Sequence, residues 1–198
     1  MFSSECRKMD PRIRRTRQML QDALKRLLEE KQFDKISVQD ITVLATLNRA
    51  TFYAHYPDKF ALLEEWIRVS FLQLLEQRGV QFDGGCSSAF KVIILAVCDY
   101  LLEVHRSLSS KQHQFEPFVE ATVIKQIREV LMDGFRKHPI ERNLAPELVA
   151  ATASWAIYGA VKQWVNAAER MPAEQFVDVA VALVQPILMA GTEPVART

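Results

Sequence analysis

Three helix-boundary signals fall within residues 37–57, and their spacing restricts the fold more than any other feature of the chain. Ser37-Val-Gln-Asp40 is a capping signal: the serine and the acid three residues on satisfy each other's backbone amides, so a helix opens there. Asn48, eleven residues after Ser37, reads as a second N-cap. Pro57 then stops the helix that Asn48 opens, because a residue preceding proline is pushed out of the α region and Tyr56 must close the helix. Two helices of about seven residues each are forced, joined by a turn of three or four. Helices that short do not persist alone in water, so they must pack on a longer neighbour.

Helical periodicity supplies that neighbour. A first helix begins near Pro11 and ends around Lys31, with Ile13, Leu20, Leu24, Leu27 and Leu28 at helical spacing. Phe33 to Ile36 is a short connection. In the second helix Ile41, Leu44 and Ala45 form the inner stripe. Asp58 starts a fourth helix running to Gln77, and a loop with Gly79, Gly84 and Gly85 comes after it. Further helices are expected at 88–105, 118–137, 147–170 and 173–190, with a polar loop at 106–114 and a kink at Pro186. No strand pattern, internal repeat or low-complexity segment is present. The expectation is an all-α chain of about nine helices, with a three-helix domain at 1–57 and a larger helical domain at 58–198.

A short helix pair packed on a longer first helix is the helix-turn-helix shape. At 100° per residue, Phe52 and Tyr56 share the inward side of the third helix. Ala50 and Ala54 fall opposite, with Arg49 and Tyr53 on one flank and Thr51 and His55 on the other. Small residues on the outer ridge let a backbone approach closely. Hydrogen-bonding flanks suit the phosphate walls of a major groove, and Arg49 is placed to read a guanine edge. A solvated polar surface would carry the same residue types, so spacing alone leaves both readings open. Charge tilts the same way. Residues 1–60 hold 12 Lys+Arg against 8 Asp+Glu, and the remainder 13 against 16.

The segment Thr51-Phe-Tyr-Ala-His-Tyr-Pro-Asp-Lys59, with Arg14-Arg-Thr-Arg17, Phe33 to Ile41 and Leu62-Leu63, resembles the TetR family of bacterial transcriptional regulators. The resemblance covers about fifty contiguous residues. It implies that Thr51, Tyr53 and His55 touch phosphates and bases and that Lys59 lies on the phosphate backbone. It also implies further contacts from Thr16, Ser37 and Gln39, while Arg12, Arg14 and Arg15 read equally as a basic arm or as a solvated tail. One residue departs from the pattern: the family usually has glycine in the turn where this chain has Thr46. If the turn keeps a positive φ, threonine strains it.

Small and large apolar residues alternate through the last two helices, which the resemblance casts as a homodimer interface, although the same stripes would also fill the core of a single chain. The residues expected there are Ala153, Ile157, Gly159, Ala160, Trp164, Phe176, Ala180, Leu183 and Ile187. Members of such a family often enclose a small hydrophobic effector. Polar or aromatic residues within apolar faces are candidates for its lining: Trp66, Ser70, Cys98, His105, Phe118, Thr122 and Tyr158. Each of them also fits an ordinary core.

Catalysis finds no motif. His105, His113 and His138 lack a carboxylate or cysteine at motif spacing, and Glu116 with Glu120 reads as a solvated face rather than a metal site. No cofactor or metal is called for. Three scattered cysteines, Cys6, Cys86 and Cys98, and no apolar run of membrane length give a cytoplasmic expectation. The function expected is a ligand-responsive repressor that binds a near-palindromic double-stranded operator as a homodimer. The alternative is a DNA-bound structural or partner-recruiting protein with no effector.

Overall fold

The computed structural model describes residues 10–79, 87–107, 116–139 and 141–192, and over these the chain is all-α. Among the described residues there are eight α-helices and one 3-10 turn. The loop glycines Gly84 and Gly85, together with Cys6, Cys86 and His113, lie outside the described residues. The helices are α1 (Pro11–Glu30), α2 (Val38–Leu44), α3 (Arg49–His55), α4 (Lys59–Gln77), α5 (Ser87–Ser107), α6 (Glu116–Lys137), α7 (Pro146–Val165) and α8 (Ala173–Leu188). The 3-10 turn, Phe33–Lys35, sits between α1 and α2.

The chain divides into two compact units, one of residues up to Leu72 with Ser107–Val119, the other of Gln73–Arg106 with the remainder from Glu120. In the first unit Leu20, Leu24, Leu27 and Leu28 of α1 are buried, together with Ile36, Ile41, Phe52, Leu62, Leu63 and Ile67. Ile13 is exposed instead, and so is Leu44. The inner stripe of α2 is Ile41, Thr42 and Ala45, since the helix is only seven residues long and its last turn lifts Leu44 away from α1.

The ends of α2 come from local chemistry. Ser37 Oγ accepts the Asp40 amide at 3.1 Å, and Asp40 Oδ2 accepts the Ser37 amide at 2.8 Å and its hydroxyl at 2.7 Å. Lys31 Nζ lies 3.0 Å from the same carboxylate. These donors, the Ser37 amide first, hold the Asp40 carboxyl at about 2. A depressed carboxyl contributes stability that is fully present above its unfolded value near 4 and lost as pH falls toward 2. Asp40→Asn is expected to cost ~1 kcal/mol at neutral pH, the scale of one cap on a half-exposed side chain. Denaturant titrations should show the gap from wild type closing between about pH 4 and pH 2.

At the other end, Leu47 N–H donates to Thr42 O (2.9 Å) and Thr46 N–H to Val43 O (3.1 Å), a Schellman closure. Thr46 carries it at φ 56, a positive φ on a β-branched residue. The turn has therefore kept the geometry that glycine suits, and the threonine bears the strain. Its side chain is exposed, so packing does little to offset that strain. Thr46→Gly is expected to stabilise the first unit by ~1 kcal/mol after the entropic cost of glycine is subtracted, which thermal unfolding would read.

In the second unit Ile93, Ile94, Val97, Cys98, Val123, Ile127 and Leu131 are buried, and α7 packs on α8. α7 ends at Val165, not at Arg170 as its composition suggests. Trp164 is buried and its indole N–H needs an acceptor. It donates to Met171 O at 2.9 Å and its ring stacks on Phe176 at 5.1 Å, which folds the chain back early. α8 continues through Pro186 to Leu188.

Candidate nucleic-acid interface

α3 is held by one ring and one cap. Asn48 Oδ1 accepts the Thr51 amide at 2.7 Å. Phe52 is 0% exposed, with Tyr53 edge-on at 5.4 Å and Tyr56 at 6.0 Å. Tyr56, also buried, lies under the Arg17 guanidinium at 5.5 Å, and Arg17 in turn reaches Glu65 of α4 at 3.7 Å. With Phe52 and Tyr56 turned inward, the opposite side presents Arg49, Ala50, Tyr53 and Ala54, all exposed, with Thr51 and His55 at its edges.

The donors expected to contact DNA fall into two groups. The Thr51 hydroxyl is 2.9 Å from Asn48 Oδ1, the Thr16 hydroxyl donates to Arg12 O at 3.0 Å, and the Ser37 hydroxyl is taken by Asp40. A phosphate only accepts, so each of these hydroxyls must give up its internal bond to donate to one. Arg49, Gln39 and the half-exposed Tyr53 hydroxyl carry no such commitment. His55 is neutral near pH 7, because partial burial and then the nearby Arg17 charge push its pKa below the usual value. It offers one N–H and one acceptor rather than a cation.

Lys59 is placed unlike the rest. Its ammonium donates to the carbonyls of Phe33 (2.8 Å), Asp34 (3.2 Å) and Ile36 (2.7 Å), all within the first unit. The phosphate contact expected from the sequence would compete with those three bonds.

The residues considered for an effector are divided between the two units. Trp66, Ser70 and Phe118 belong to the first unit and are half-buried, Ser70 bonded to Ile67 O and Phe118 stacked on Phe60. Cys98, Thr122 and Tyr158 are buried in the second unit, where burial pushes the Cys98 thiol up to about 12. His105 is exposed. The sequence missed Gln126, one turn beyond Thr122 on the same face of α6. It is 2% exposed, and its Nε2 finds no hydrogen-bond partner. Among the described residues no three His, Cys, Asp or Glu converge as a metal site. No helix among them is long and apolar enough to cross a membrane.

The expected interface residues separate by face. Ala153, Ile157, Trp164, Phe176 and Ala180 are buried inside the single chain, so they are core and unavailable to a second copy. Gly159 and Leu183 are exposed, with Ala160 and Ile187 between. The outward faces of α7 and α8 add Leu148, Trp155 (58% exposed) and Val179 to Leu183 (65%). A Cβ built on Gly159 would meet no atom within 4 Å.

The short α2 and α3 and the closed turn between them form a helix-turn-helix, with a polar face of α3 turned outward. Residues 20–66 match the bacterial regulatory proteins of the tetR family. An HTH-type transcriptional regulator of Bacillus subtilis (strain 168), YxbF, is 39% identical over 71 residues, covering 35% of this chain. The chain spans only 19% of that relative's length. A TetR transcriptional regulator from Streptococcus agalactiae 2603V shares the fold, with a TM-score of 0.54 and 23% identity over 87% of this chain and 95% of that one. So does the regulator FadR from Bacillus subtilis in complex with stearoyl-CoA, with a TM-score of 0.51 and 14% identity over 84% and 96%.

Proposed function

We propose that the chain is a transcriptional repressor that binds a near-palindromic operator as a homodimer and leaves it when a small effector binds. The observation that carries this reading is the outward face of α3, where Arg49 and Tyr53 flank a ridge of alanines while Phe52 is sealed beneath. Two such helices, related by a two-fold axis, reach half-sites about one helical turn of DNA apart. Exposed Leu148, Trp155, Val179 and Leu183 support pairing through α7 and α8, since large apolar side chains left in water gain by being covered. The functional division falls at Pro57, with residues 58–198 serving effector and partner.

Buried Gln126 beside Thr122 supports an effector with a hydrogen-bond acceptor on an otherwise apolar body, which would satisfy the unpartnered amide. The FadR neighbour is in complex with stearoyl-CoA, part of which is a long apolar acyl chain. Such a ligand releases DNA only if it binds more tightly to the conformation with the wrong half-site spacing. The reading is of a cytoplasmic protein without catalytic activity.

Selection of duplexes from a random pool at fixed, near-physiological salt tests the reading. One recovered near-palindrome is the expected result; salt-sensitive binding with no motif favours a recruiting protein, and absence of binding ends the DNA reading. Repeating the selection with Arg49→Ala is expected to relax one position per half-site and cost ~1–3 kcal/mol, as loss of a bidentate guanine contact does. An unchanged motif would assign Arg49 to phosphate or solvent.

A further inference from the structure

We propose that Lys59 is a positioning residue for DNA recognition, an internal clamp of three carbonyls that sets where α2 begins and so how α3 is presented. Lys59 is the first residue of α4, 23 to 26 residues from its three partners in sequence. The ammonium has three protons, and three carbonyls converge on it, those of Phe33, Asp34 and Ile36. These carbonyls lie in and just after the 3-10 turn, and the Phe33 oxygen also accepts the Ile36 amide at 2.9 Å. The Phe33 ring covers the cation at 4.6 Å and Phe60 lies at 5.7 Å, with Phe33 and Phe60 edge-to-face at 5.2 Å.

The consequence runs along the chain. Ile36, 1% exposed, is the residue before Ser37, which caps α2. Fixing the Ile36 carbonyl fixes the entry of α2, and the tight turn at Thr46 passes that placement to α3. An arginine cannot reproduce the site, because a planar guanidinium directs its protons in a plane rather than toward three converging oxygens.

The proposal rests on the DNA-binding reading, and two measurements on the full-length chain separate their fates. Acetylation of lysines in the wild-type protein, read by mass spectrometry, is the first. Lys59 is expected to label far more slowly than exposed Lys25 and Lys35 without DNA, and to gain no protection when the selected duplex is added. Fast labelling that DNA suppresses would overturn the clamp in favour of a phosphate contact. The second compares Lys59→Met and Lys59→Arg on the selected and a scrambled duplex across a salt series. Both variants are expected to lose about tenfold on the selected site. The slope of log affinity against log salt should stay at its wild-type value, and scrambled DNA should be bound as before. A slope smaller by about one, with Lys59→Arg binding normally, would overturn the proposal. Should the variants fail to fold, the labelling of wild type decides alone. Failure of wild type to bind any duplex ends the DNA reading, while labelling of the DNA-free chain still decides whether the clamp exists.

Discussion

Phe52→Ala is expected to destabilise the first unit by ~3–5 kcal/mol, the range for removing a fully buried aromatic side chain. Phe52 is 0% exposed, and α3 is too short to persist without the packing it provides. Chemical unfolding should show the loss, and duplex binding should vanish with it while the helices of the second unit remain. Phe52→Leu, which refills part of the site, should recover much of both. Retention of full stability by the alanine variant would mean that α3 is held by its caps and not by the ring.

Leu183→Glu is expected to split the proposed dimer. Leu183 is 65% exposed in the single chain, so the substitution should change the monomer's stability by no more than ~0.5 kcal/mol. In a paired face the same carboxylate would be buried without a partner, at a cost of several kcal/mol. Sedimentation should then report a monomer, and affinity for the near-palindrome should fall by about a hundredfold or more. A variant that sediments as a dimer would remove the α7–α8 face from the assembly.

The N-terminal elements were legible because their boundaries are written in local chemistry. Ser37, Asn48, Pro57 and Asp58 each act on their own neighbours, and α2, α3 and α4 start and stop where those residues require. Thr46 was legible too, since a turn of that length needs a positive φ whatever occupies it. The failures depended on distance in sequence. Nothing near Lys59 signals three carbonyls more than twenty residues away, and nothing in Ala167-Ala-Glu-Arg170 tells that the Trp164 indole will end its helix. Face assignment failed for a different reason. α7 is apolar on nearly every side, so periodicity could not separate Ala153 and Ile157, which fill the core, from Leu148 and Trp155, which look outward.

Gly159 sits mid-helix on that outward face, with open space where a side chain would be. An alanine there should favour the isolated chain by ~1 kcal/mol through helix propensity alone. Where a second helix crosses at 159, the same methyl group holds the two backbones apart. Fitness of the single molecule and fitness of the pair then pull this position in opposite directions. A library of this chain screened only for heat resistance would enrich alanine at 159, and with it molecules that fold better and pair worse.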